Sequence, residues 1–181
     1  MSAQYPFQPA EFLPFRDAVV CERVRNIPKS ELCNHPNPNF KIRIIESDQA
    51  FAWSYIIDIV SNIKRALDEG RQFVVILPAP NPNYAFVAQL INQLRIPCHH
   101  VHTFNMDEYA DEAGNTAPRE WRGGFQYWMW NDLFSQIDPA LRMPESQIHF
   151  PSTENVNDYS RMLENLRSEE HTSELQSPNT I

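Results

Sequence analysis

Glycine is scarce in this chain, with four residues against fifteen prolines in 181. So few glycines argue against a phosphate loop made of bare backbone, and no dinucleotide fingerprint is present. Cysteine is sparse too. Cys21, Cys33 and Cys98 are odd in number and widely spaced, so they make neither a metal-ligand pattern nor a disulfide framework, which fits a reducing cytoplasm. No apolar run approaches a membrane span. "MSAQYPFQPAEF" lacks the basic start and apolar stretch of a signal peptide, so a cytoplasmic protein with no membrane partner is expected. Basic blocks are also missing. With a net charge of −8, the chain carries no nucleic-acid footprint. It has no serine elbow and no Cys–His pair for nucleophilic catalysis.

What is present is an alternation of short apolar runs and amphipathic stretches. Residues 1–40 are proline-spotted, with helical hints at 15–25 and 29–33, and read as an N-terminal extension. "KIRIIE" at 41–46 is β-branched and reads as a strand. Ser47 or Asp48 then caps a helix reaching Glu69, with Ala52, Ile56, Ile59, Ile63 and Ala66 recurring at the helical period and Gly70 as its stop. "QFVVIL" (72–77) has the continuous apolar character of a strand buried on both faces. Asn83 is placed to cap a helix over 84–94, which Pro97 ends. "CHHVHTF" (98–104) reads as a strand, 125–137 as an aromatic helix, "QIHF" (147–150) as a further strand and 157–166 as a helix. This order predicts an α/β fold: a three-layer, mostly parallel, Rossmann-like sheet with helices on both faces. Ligands in such sheets sit beyond the carboxyl ends of the strands. "PAPNPN" and "NMDEY" both fall there.

In "FNMDEY" (104–109) two acids are adjacent. A carboxylate held rigidly and partly desolvated is a good base for moving a proton between neighbouring carbons. Neighbours in extended chain point to opposite sides, so one of Asp107 and Glu108 faces a site while the other anchors the loop. In "HHVH", alternation places His100 and His102 on one strand face, a spacing seen in metal sites, and Asp107 would be a further ligand. No second cluster supplies the remaining ligands, so neither a metal nor another cofactor is expected. The aromatic helix around Trp128 and Trp130 is assigned to the core, with an oligomer interface as its second use.

"TFNMDEY" (103–109) resembles the motif of the glucosamine-6-phosphate deaminase and 6-phosphogluconolactonase superfamily, and Asn105 and Tyr109 favour its deaminase branch. The resemblance runs more loosely over residues 41–166. It implies that Asp107 shuttles a proton between C1 and C2 of an aminosugar 6-phosphate, with Glu108 beside it, yielding a ketose 6-phosphate and ammonia. It also implies a small-molecule sugar phosphate as partner and allows a homo-oligomeric parent. The chain departs from that pattern at "LPAPNPNYAF" (77–86), where the deaminases carry a threonine and two glycines. Prolines 78, 80 and 82 have no N–H to offer. Ala79, Asn81 and Asn83 keep theirs, and the Asn amides add donors, so these three and Asn105 are the substrate-binding candidates. Because of this loop, a non-catalytic sugar-phosphate-binding module stands as one alternative. A 6-phosphogluconolactonase-like hydrolase is the other.

From Arg167 the chain turns polar and aperiodic, and "RSEEHTSELQS" (167–177) resembles the translation of a sequencing-library adapter. Residues 167–181 are therefore set apart as an artefactual disordered tail. The family's later glycine-rich segment, with its Asp and His, has no match before Leu166. The expectation is an N-terminal part of a deaminase-like domain over 41–166, truncated and inactive as it stands.

Overall fold

The structure of the protein, a computed structural model, describes residues 17–173. The chain divides after Ile45 into two compact units. In the first, Asp17 caps helix α1 (Ala18–Arg25) by accepting from the N–H groups of Val19 and Val20, each at 3.0 Å. A single 3₁₀ turn follows at Lys29–Glu31. Residues 41–46 form no strand, which corrects the reading of "KIRIIE". β-branched side chains supply propensity alone, and a strand also needs a neighbouring edge to take its N–H and C=O groups. The start of the hint at 15–25, residues 1–16 of the extension and residues 174–181 of the set-apart tail lie outside the described residues.

The second unit runs through α2 (Asp48–Asp68), β1 (Phe73–Leu77), α3 (Tyr84–Gln93), β2 (Val101–Asn105), α4 (Phe125–Asp132), β3 (Ile148–His149) and α5 (Tyr159–Ser173). Helix α2 follows its local code. Ser47 Oγ accepts from the Ala50 N–H at 3.3 Å. Ile56, Val60, Ile63 and Ala66 form the buried stripe. Gly70, at φ 67°, lets the N–H of Arg71 reach back to the carbonyl of Ala66 and close the helix. Among the described residues no helix is long and apolar enough to cross a membrane.

The three strands are parallel, in the order β1-β2-β3, with Leu77 opposite Asn105 and Phe104 opposite His149. Side chains alternate across the sheet. Phe73, Val75, Leu77, Val101 and Ile148 belong to one face, which joins α2, α3 and α4 in the core around Tyr84, Ile91 and Phe134. His102, Phe104 and His149 belong to the other face, where Tyr159 of α5 meets Phe104 edge-on at 5.4 Å between ring centroids. The fold is thus α/β, with a parallel sheet and helices on both faces.

Strand β2 and helix α4 are shorter than their sequence suggests, and each is cut by a distant partner. Strand β2 starts at Val101 because the N–H of Cys98 is taken by the carbonyl of Leu141 (2.7 Å) and residues 98–101 turn. His100 therefore leaves the strand. Its Nε2 lies 3.0 Å from the carbonyl of Ile63 on α2, whereas His102 Nε2 meets the Gln147 amide at 2.9 Å, so the two do not form a shared ligand face. Helix α4 gives way after Asp132 to a 3₁₀ turn, Phe134–Gln136. There Asn92 of α3 pulls the chain inward, donating to the carbonyl of Gln136 and accepting from the N–H of Asp138, each at 2.8 Å.

Two stability predictions follow from the packing. Tyr84 is fully buried, and among the described residues its hydroxyl bonds only to that of half-buried Tyr55, at 2.7 Å. Burial pushes the Tyr84 hydroxyl above its ordinary value, so it stays protonated. Tyr84→Phe leaves Tyr55 within reach of water and is expected to cost about 1 kcal/mol. Tyr55→Phe strands the buried Tyr84 hydroxyl and is expected to cost more, about 1–3 kcal/mol, in urea unfolding. The second concerns His149, half-buried against Phe104 (4.4 Å) and stacked toward His102 (5.8 Å). Burial first, and His102 second, lower its pKa below 6.5. The folded state then binds fewer protons than the unfolded one. Its contribution is fully present above the unfolded value and is lost as pH falls through 6.5 toward the lowered folded value. Unfolding curves at stepped pH should show this slope, and His149→Gln should flatten it.

Candidate active site

Pairing of Leu77 with Asn105, followed by donation from the Met106 N–H to the Leu77 carbonyl (3.1 Å), brings two loops off the same sheet edge side by side. One holds Pro78 to Asn83 and the other Met106 to Glu108. In the first, Asn83 does not cap α3 as expected. It is itself helical (φ −66°, ψ −17°), and its N–H goes to Asn81 Oδ1 at 2.9 Å. The N–H groups of Tyr84, Ala85 and Phe86 go to the carbonyls of Asn81, Pro82 and Asn83. The start of α3 has thus spent its donors on its own turn. Among the described residues, the N–H groups of Ala79 and Asn81 and the side-chain amide nitrogens of Asn81 and Asn83 have no partner.

The two acids of the second loop part company. Glu108 turns back to α4, and its Oε1 accepts from the N–H groups of Tyr109 (2.8 Å) and Phe125 (2.9 Å). Its Oε2 accepts from the N–H of Gln126 at 2.6 Å. The residue in the cap position of α4 is Gly124, which has no side chain to do this. A Cβ there would stand 3.2 Å from Glu108 Oε1. The carboxylate also opposes the positive end of the helix dipole. Asp107 is exposed and makes no hydrogen bond or ion pair to a described residue. The helix holds Glu108, and the neighbouring Asp107 is left facing outward at the sheet edge.

Asn105 lies beneath them, 2% exposed. Its amide donates to the carbonyl of His149 at 2.8 Å, and its own carbonyl accepts from the Tyr159 hydroxyl at 2.8 Å. That hydroxyl also reaches the His149 carbonyl at 3.0 Å. Asn105 therefore ties the ends of β2 and β3 together and presents no donor to solvent. Burial pushes the Tyr159 hydroxyl upward, which keeps its proton in place.

The long loop after Tyr109 is ordered by local bonds. Asp111 accepts from the N–H groups of Ala113 and Asn115 and from the Asn115 amide, and these bonds, chiefly those from Asn115, lower its pKa. Ala110 and Thr116 form an antiparallel bridge. Thr116 and Thr153 exchange backbone and hydroxyl bonds at 2.6–2.9 Å, clasping this loop to the one after β3. Arg119 is held elsewhere, by Glu145 at 2.7 Å and by the ring of Trp130. Among the described residues, no three His, Cys, Asp or Glu side chains are placed to hold a metal ion. Burial pushes the Cys98 thiol up to about 12, too high for a reactive thiolate.

The chain is similar to the glucosamine-6-phosphate deaminase of Dictyostelium discoideum, 30% identical over 104 residues, covering 52% of this chain and 37% of the relative. Its similarity to the deaminase of Drosophila melanogaster is 31% over 97 residues, covering 51% and 33%. The similarity to glucosamine-6-phosphate deaminases extends over about half of this chain. The matched region spans about a third of the length of these curated relatives. No family model matches. The fold is shared with a solved monomeric glucosamine-6-phosphate deaminase at a TM-score of 0.54 and 16% identity, over 71% of this chain and 50% of that one. The deaminase-like motif therefore sits on a deaminase-like fold.

Sequence reasoning missed the cap on α4, although Gly123 and Gly124 before an aromatic helix were a signal that the cap must come from elsewhere. Nothing local announced the tie from Tyr159. Glu108→Ala removes the acceptor from three N–H groups and is expected to cost about 1–3 kcal/mol. Glu108→Gln keeps one acceptor oxygen and should cost less. Urea unfolding ranks the two, and equal stability of wild type and Glu108→Ala would overturn the capping role.

Proposed function

We propose that this chain carries the proton-transfer part of a sugar-phosphate deaminase-like enzyme, with Asp107 as the base. The observation behind this reading is the division of labour in the acidic pair. Glu108 spends both oxygens on helix α4, while Asp107, among the described residues, has no partner on the edge where ligands of parallel sheets bind. A base needs an unpaired carboxylate on a rigid mount, and the capped neighbour supplies the mount.

On an open-chain aminosugar 6-phosphate, Asp107 takes the C2 proton as the electrons move to form an enol amine with C1. It then returns that proton to C1, leaving an imine at C2. Water adds at C2 and ammonia leaves, giving the ketose 6-phosphate. Asn81 and Asn83, with the N–H of Ala79, provide the donors for the phosphate. Asn105 acts one step back, by fixing the edge from which Asp107 projects.

A binding module without turnover is the second reading, and the spent amides at the start of α3 favour it. The two part in one assay. The full-length protein should release ammonia from glucosamine 6-phosphate. Asp107→Asn should reduce turnover by about 10²–10⁴-fold, the usual share of a general base, with an unchanged circular dichroism spectrum. Full activity of Asp107→Asn would remove the base assignment. Saturable binding of the sugar phosphate without ammonia release, by the wild-type protein, would select the binding module.

A further inference from the structure

A hollow lined by two arginines lies beside α4, and its reading is independent of the one given above. We propose that it is a small-molecule site for a phosphate monoester. The concavity measures about 420 Å³, and its lining includes Arg119, Glu120, Arg122, Tyr127 and Ser135. Of the two guanidinium groups on this hollow, that of Arg119 is balanced by Glu145, and that of Arg122 supplies the local positive charge. Both are mounted on fixed structure. Arg119 lies over the ring of Trp130, 3.7 Å from its centroid, and is ion-paired with Glu145. The backbone of Arg122 is pinned by the Trp128 indole N–H, which donates to its carbonyl at 2.9 Å.

The polar groups around Arg122 are unspent. Among the described residues its guanidinium has no ion pair, and the hydroxyls of Tyr127 and Ser135 have no hydrogen-bond partner. Arginine presents a planar fork that matches two oxygens of a phosphate, and hydroxyls complete such a shell. Glu120 on the same rim sets the charge limit. It opposes polyphosphates, and it accepts from hydroxyls on the organic part of the ligand. A compact monoester with hydroxyl groups satisfies all of these groups together.

The test is titration of the full chain with inorganic phosphate and then glycerol phosphate, following the Nε–H resonances of Arg119 and Arg122 and the side-chain amide resonances of Asn81 and Asn83. Saturable shifts at both are expected, with glycerol phosphate binding more tightly than phosphate. Arg122→Gln removes a charge-assisted fork and should weaken binding about tenfold or more. Arg122 is exposed, so the fold should not depend on it. Tyr127→Phe provides a second variant and should weaken binding by a smaller factor. Shifts that stay linear in concentration, or saturable binding untouched by both variants, would overturn the site. Shifts confined to Asn81 and Asn83 would locate phosphate at the sheet edge and also overturn it. Equal affinity for the two probes would overturn the monoester assignment.

Discussion

Helix α4 begins at Phe125 after two glycines, with no side chain of its own to take its first amide protons. The carboxylate of Glu108 does so from across a long loop, receiving three N–H groups on two oxygens. A charged acceptor for several amides is a strong bond set, and it lies where the helix dipole also favours a negative charge. This bond orients the segment after β2, keeps Asp107 from folding back onto the helix, and carries Tyr109 against Phe125 (4.8 Å between centroids). The acidic loop and the start of α4 therefore both depend on this one carboxylate.

A second constraint works from below. The ends of β2 and β3 are joined by the Asn105 amide and by the Tyr159 hydroxyl, so the acidic loop leaves from a closed edge. Thr116 and Thr153 repeat the device farther out. A proton-transfer base must hold its position against thermal motion, since small misplacement costs rate. Here the rigidity comes from polar ties between loops, because strand β3 pairs over only two residues.

How legible this was depended on the distance between cause and effect along the chain. Helix α2 could be read between Ser47 and Gly70 because cap, stripe and stop are all local. The parallel sheet could be read from alternating elements. "KIRIIE" misled because pairing is decided by a partner edge, which no local pattern reveals. "HHVH" misled for a similar reason, as the carbonyl of Leu141 decides where β2 starts. For the acidic pair, alternation predicted that the two side chains would diverge. Which one would be held was decided by amides at Phe125 and Gln126.

The proline-rich loop then bears on what the sheet edge can hold. Three prolines remove donors, and the turn from Asn81 to Phe86 consumes four more N–H groups internally. What remains at this edge is two backbone N–H groups and two amide side chains, all neutral. Hydrogen bonds to a phosphate from neutral donors are individually strong enough to orient it, yet they supply no full countercharge. Nearby Asp107 adds a negative charge. An edge built this way holds a doubly charged phosphate weakly unless a cation joins it, and Arg119 of the long loop is already held by Glu145 and Trp130. The balance therefore turns on geometry at Asn81 and Asn83: their amides must reach the ligand from the side away from Asp107, so that the base meets the sugar carbons and not the phosphate.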